Sequence, residues 1–282
     1  MSVWLVTGAS RGFGREITAA ALRAGHRVVA AARDPRTVAK HFPDEDGNLL
    51  AVRMDVTDPD QVTAAVAEAV SAFGGIDVLV NNAGYGLLGA VEETSDAEVR
   101  QLFDTNVFGL LTVTRAVLPL MRAAGGGRVI NISSIAAIAT VGGLSAYAGT
   151  KHAVEGISEA LAAEAAPYGI TVTCVQPGSF RTDFLDDTSF RHAEHPIDAY
   201  DGTVRTFARQ LAERRGSQPG DPVAAAEAIV ATTAQGQPPA RLPLGSDCAG
   251  ALDDTLHSRA AELAAWRQLA VSTDYADDQA RR

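Results

Sequence analysis

The chain has 282 residues, 46% of them apolar and 21% charged, with a formal net charge of −10. That composition belongs to a folded globular protein rather than a disordered one. The acidic balance disfavours nucleic acid and anionic membrane surfaces as partners, because both select a basic face.

Short β-branched runs alternate along the chain with longer Ala/Leu-rich runs of helical period, the pattern of a parallel sheet covered on both faces. The segment 3–7 reads as the first strand, not as a signal peptide, since it lacks a basic leader and a cleavage site. A helix is expected over 14–24, stopped by Gly25, followed by strands at 27–32 and 49–54. Asp58 and Pro59 announce a helix over 59–73, one as N-cap and the other in the first turn. A strand at 77–81, one or two helices over 96–122, a strand at 128–133, a helix over 146–165 and a strand at 170–176 continue the alternation. It weakens over 180–220, which reads as a lid rather than a second domain. A helix over 221–234, an edge strand at 241–244 and a final helical extension at about 249–270 follow, with a frayed acidic tail from Asp274 to Asp278. One α/β domain over 1–282 is the expectation. No run of 18 apolar residues occurs, so no transmembrane helix is expected. Two cysteines, Cys174 in an apolar strand and Cys248, fit a reducing, cytoplasmic setting.

Two groups of residues carry chemistry. Gly8, Ser10, Arg11, Gly12, Phe13 and Gly14 lie between the first strand and the first helix. In that context, glycines let the backbone approach a pyrophosphate, and the helix N-terminus offers free N–H groups and partial positive charge. Tyr147 and Lys151 stand four residues apart, hence on one helix face. A phenol titrates near pH 10, and a neighbouring ammonium is expected to lower that value by stabilising the phenolate.

The glycine spacing resembles that of the short-chain dehydrogenase/reductase family, in its conventional branch, and the resemblance covers nearly the whole chain. It also rests on Asn81-Asn82-Ala83-Gly84, Asn106, the Ser134/Tyr147/Lys151 set and Pro177-Gly178. It implies a Rossmann-type doubly wound parallel sheet of about seven strands in the order 3-2-1-4-5-6-7. It implies oxidoreductase chemistry in which Tyr147 moves the proton, Lys151 tunes it and holds the nicotinamide ribose, Ser134 polarises the substrate carbonyl and Asn106 holds a water that links Lys151 to solvent. Ser133 is a neighbouring competitor for the Ser134 role, and Asn106 could instead serve the backbone. Asn82, Ala83, Gly84, Pro177 and Gly178 would line the cofactor cleft. Asp55 and Val56 would meet the adenine, with a turn or cap role as the alternative for Asp55, and Thr182 would meet the nicotinamide carboxamide unless it faces solvent.

The second strand ends in Ala32 where an NAD enzyme places an acid for the ribose 2′-hydroxyl. Arg33 and Arg11 could clasp a 2′-phosphate instead, so NADP(H) is expected over NAD(H). A register shift of one residue would make Asp34 the ribose acid. Four of nine phenylalanines, Phe180, Phe184, Phe190 and Phe207, fall in the lid with Tyr200. They suggest an apolar or ring-bearing substrate, or else packing of the lid onto the sheet. Tyr85, Leu87, Leu88 and residues 135–144 would form the other walls; His192 and His195 read as exposed loop residues, and no metal site is expected. The reading is an NADP(H)-dependent ketone reductase or secondary alcohol dehydrogenase on a small molecule, assembled as a homo-dimer or homo-tetramer. The rivals are a catalytically silent dinucleotide sensor or scaffold and an epimerase or dehydratase on the same fold.

Overall fold

The structure is a computed structural model and describes residues 1–43, 47–186 and 188–275. In chain order the elements are β1 Val3–Thr7, α1 Gly12–Arg23, β2 Arg27–Ala32, a short α2 Arg36–Ala39, β3 Leu49–Arg53, α3 Pro59–Phe73, β4 Val78–Asn81, β5 Gly86–Leu88, α4 Asp96–Phe103, α5 Leu110–Ala124, β6 Gly127–Ile132, α6 Ser145–Ala165, β7 Ile170–Pro177, β8 Phe190–His192, α7 Thr206–Glu213, α8 Pro222–Thr233, β9 Arg241–Leu244 and α9 Ser246–Val271. Seven strands form one parallel sheet in the order β3-β2-β1-β4-β6-β7-β9. Counting only the strands of that sheet, this is the expected 3-2-1-4-5-6-7.

The strands are buried on both faces, and alternate residues feed two separate cores. Leu5, Val29, Leu79, Val129 and Val172 pack with α3, α5 and α6 on one face. Trp4, Val6, Val28, Val80, Ile130 and Val175 pack with α1 and α8 on the other. The order reverses between β1 and β4, so their C-terminal ends open a crevice, the usual ligand position in such sheets. The caps agree with the local chemistry. Asp58 accepts from the amides of Asp60 and Gln61, and Gly74 closes α3 at φ +86°. Helix α1 begins at Gly12 and α9 at Ser246, both earlier than the sequence pattern indicates.

The segment Asp96–Ala124 is long and apolar enough to cross a membrane by length and composition alone, contrary to the expectation from apolar runs. In the fold its buried residues Leu102, Val107, Leu110, Val113, Val117 and Met121 lie in the protein interior. A π-helical turn, Asp104–Gly109, interrupts it at Asn106.

The lid is more regular than its sequence indicates. β5 and β8 form a separate two-stranded parallel sheet, and α7 follows a π-helical turn at Asp201–Arg205. Of α9, Cys248 in the first turn is buried, and from residue 253 onward nearly every side chain is exposed. The expected frayed tail runs from Asp274 past Tyr275 into residues outside those described.

Candidate active site

A cavity of about 710 Å³ follows the C-terminal ends of the strands. The residues that the sequence assigns to the cofactor and to proton chemistry line it, apart from Gly14 and Asn106, and so do Tyr85 and Phe184 of the expected substrate walls. Its first section is the glycine loop. Gly8 and Gly12 sit at φ +66° and +52°, where L side chains are strained. A Cβ on Gly14 would lie 2.3 Å from the Gly8 carbonyl oxygen, so only glycine lets helix and loop close together. The Asn82 amide donates to the carbonyls of Thr7 (2.9 Å) and Gly8 (3.2 Å). The Thr7 hydroxyl accepts from the Asn82 and Ala83 amides, each at 3.0 Å. The Arg11 side chain makes no capping bond to α1, which leaves the first-turn N–H groups facing the cleft for an anion. This cradle fits a dinucleotide pyrophosphate. Asn81, by contrast, is scaffold: its amide donates to Thr114 and Asn131, both at 2.9 Å.

At the outer end, Arg33 lines both the main cleft and an adjoining hollow with Asp34, Pro35, Arg36 and Arg53. Asp34 accepts from Arg36 Nε and Nη2, both at 2.9 Å, and from its backbone amide. Those bonds hold the Asp34 carboxyl below its usual range. Arg11 crosses the cleft and donates to the Thr188 hydroxyl and carbonyl on the lid. Arg36 and Arg53, which the sequence reading passed over, supply the cationic surroundings of Arg33. The Asp55 carboxylate accepts from the Thr57 amide and hydroxyl, so it shapes its turn while lining the cleft. Thr182 caps the turn Asp183–Leu185 by accepting from the Phe184 amide.

At the inner end, Ser134, Tyr147 and Lys151 converge. Ser134 follows β6 and starts a 3₁₀ turn, its hydroxyl accepting from the Ala136 amide at 3.1 Å. The Tyr147 phenol lies close enough to that hydroxyl for it to draw the phenol's pKa down. Ser133 is buried against the Cys174 thiol, and Ser134 is the serine that acts on the phenol. Lys151 Nζ donates to the Ile132 carbonyl at 2.9 Å and lies 5.7 Å from the centre of the Tyr147 ring. Both side chains are buried, and this corrects the expected direction of the Tyr147 shift. Burial pushes the phenol up to about 12, opposed by the Ser134 hydroxyl, and pushes Lys151 down to about 8. Taking the charged form out of water is the largest cause for each. The Asn106 amide donates to the Tyr85 carbonyl (2.9 Å) and to Thr150 (3.2 Å), while its oxygen accepts from the Tyr85 amide (3.0 Å). Its N–H groups are spent on tying the Gly84-Tyr85 turn to α6.

The aromatic residues of the lid divide. The Phe184 ring stands 5.9 Å from Tyr147 and 5.7 Å from Phe190, and Phe207 also lines the cavity. Phe180 packs edge-on against Phe13 at 5.1 Å. The Tyr200 hydroxyl donates to Glu92, outside the cavity lining. Leu87 and Leu88 are buried and do not reach the cavity, whereas Ile135, Ala136, Ala139, Val141 and Leu144 do. His192 and His195 are exposed. Arg191, missed in the sequence, lines the cavity and stacks on Tyr85 at 4.3 Å. Among the described residues no group of three or more His, Cys, Asp or Glu is placed to hold a metal ion.

A family model described as short chain dehydrogenase matches residues 2–192. The chain is 35% identical to the oxidoreductase BOA17 of Botryotinia fuckeliana over 274 residues, covering 96% of this chain and 98% of that one. It is 39% identical to a 3-ketodihydrosphingosine reductase of Bacteroides thetaiotaomicron, over 86% of this chain and 87% of the relative. The crystal structure of a short-chain dehydrogenase from Streptomyces avermitilis superposes with a TM-score of 0.88 at 42% identity, covering 97% of this chain and all of that one. Similar structures carry NAD(H) in some cases and NADP(H) in others.

Proposed function

The chain belongs to the short-chain dehydrogenase family and is an oxidoreductase that binds a nicotinamide cofactor, and we propose that it is an NADP(H)-dependent reductase of apolar ketones, reversible toward the secondary alcohol. The observation that carries this reading is the convergence of the Ser134 and Tyr147 hydroxyls and the Lys151 amine at one end of a cleft whose other end is a glycine cradle.

The cofactor, when bound, supplies or accepts the hydride. The chain's own residues manage the oxygen of the substrate. Ser134 and Tyr147 are two hydroxyl donors placed to stabilise the negative charge that develops there during reduction. Burial keeps the phenol protonated at neutral pH, so it enters the reductive step as an acid. Lys151, near 8, resupplies the proton and supports the phenolate left behind. Asn106, through Tyr85 and Thr150, fixes the turn opposite Lys151 as a positioning residue.

Preference for NADP(H) is supported by Ala32 at the end of β2, by the engagement of Asp34 with Arg36, and by Arg33 beside Arg36 and Arg53. The apolar substrate is supported by Phe184, Leu185, Phe207, Leu211, Val141 and Leu144 around the inner end. Two buried unpaired cysteines, Cys174 and Cys248, suit a reducing cytoplasmic setting. A homo-dimer or homo-tetramer is part of the same proposal. The test is NADPH absorbance against cyclic, aromatic and aliphatic ketones. Turnover of apolar ketones, faster with NADPH than with NADH, is the expected outcome; no turnover across the panel would refute it.

A further inference from the structure

Helix α6 carries a carboxylate that the mechanism above does not use. Glu155 lies one turn beyond Lys151, on the same face of the helix. Its side chain is 13% exposed and is held from two strands. Oε1 accepts from Gln176 Nε2 at 3.0 Å, and Oε2 accepts from Arg241 Nε at 3.3 Å. Gln176 directly precedes the Pro177-Gly178 turn that lines the cleft, and Arg241 opens the edge strand β9. Arg241 also donates to Glu159 at 2.6 Å. The carboxylate is therefore fixed in place beside the Arg241 guanidinium.

We propose that Glu155 is a positioning residue for the proton step, a fixed anion that biases the buried Lys151 amine toward its ammonium form. This rests on the reading that Lys151 serves Tyr147. The groups facing Lys151 can be named element by element. Tyr147 and Glu155 face it from α6, Cys174 from β7, and the Ile132 carbonyl from β6. At Gly84, a Cβ would stand within 4 Å of both Lys151 Nζ and the uncharged Asn106 oxygen. Of these, Cys174 and Glu155 act to hold the proton on the amine. Burial pushes the Cys174 thiol up to about 12, so it is neutral while Lys151 titrates. The remaining negative charge is that of Glu155. Arg241, from β9, partly offsets it. The two partners therefore have opposite effects on Lys151: loss of Glu155 favours the free amine, and loss of Arg241 favours the ammonium.

The chain offers an unusually clean readout, because Lys40 and Lys151 are its only lysines. Lysine labelled with ¹³C at Cε gives two signals, and the exposed Lys40 serves as the internal reference. In the full-length protein without substrate, the Lys151 midpoint should fall by roughly 0.5–1 pH unit in Glu155→Gln and rise by a smaller amount in Arg241→Gln. Glu155→Gln keeps an oxygen that accepts from Gln176, so a purely structural role for Glu155 leaves the midpoint in place. An unmoved midpoint in Glu155→Gln, or a shift of the same sign in both variants, overturns the proposal. Should Glu155→Gln not fold, Arg241→Gln decides alone: a rise supports it, and a fall or no change overturns it. The titration needs no turnover, so its failure is distinguishable from failure of the ketone assay.

Discussion

The floor of the cleft and the lid above it are built on different physical terms. On the floor, Ser134, Tyr147 and Lys151 sit at the end of β6 and in the first two turns of a 21-residue helix, with Tyr147 and Lys151 6% and 7% exposed. Their neighbours are backbone carbonyls and one another. The lid rests on a three-residue strand pair, on Arg11 reaching Thr188, and on an ion pair between Arg205 and the buried Glu93. Glu93 also accepts from the amides of Ala90 and Ile197, so it clasps the segment 197–205 to the loop after β5. The floor gains precision from burial in regular elements. The lid gains position from a few polar clasps, which local opening can release.

The sharpest way to break this contrast lies on the floor. Tyr147→Phe is expected to lower kcat by about 10²–10⁴ while fluorescence titration still shows NADPH bound; near-normal turnover removes the proton role. On the lid, Glu93→Gln is expected to destabilise the protein by about 3 kcal/mol in denaturant unfolding, the scale for breaking a buried pair. Arg205 and the backbone bonds hold the Glu93 carboxyl down at about 2. Its stabilising effect is therefore complete above the ordinary carboxylate range and lost as pH falls toward 2. The gap between wild type and Glu93→Gln should close over that interval; a gap independent of pH contradicts the assignment.

Two smaller effects concern the arginines at the cofactor end. Arg33→Ala is expected to raise KM for NADPH about tenfold, the loss of one charge-assisted contact, and to leave KM for NADH nearly unchanged. Equal effects on both remove the 2′-phosphate reading. Arg11→Ala is expected to change KM for NADPH only a few-fold, since its guanidinium is an exposed lid contact. A loss matching that of Arg33→Ala would return Arg11 to the phosphate site.

What the sequence discloses follows the same division. The glycine loop, the Asp58 cap of α3 and the Tyr147–Lys151 face depend on neighbours within a few residues, and the structure keeps them as read. The lid strands do not, because three residues are too few to show a period and their pairing joins positions about a hundred residues apart. Glu93 sits among Val91, Glu92, Thr94 and Ser95, a stretch with the look of a solvated surface. Its burial depends on Arg205, more than a hundred residues away. The Tyr147 shift is hidden from the sequence for the same reason: spacing reveals a neighbouring ammonium, but the depth of burial comes from the whole fold.

The proposed chemistry is hydride transfer between the nicotinamide and a ketone carbon held against Tyr147. The most direct measurement uses NADPH deuterated at C4 with whichever ketone is turned over fastest. Deuterium on the carbinol carbon of the product, from one face of the nicotinamide only, is the expected result. Product without that label, formed while the cofactor is consumed, would contradict it.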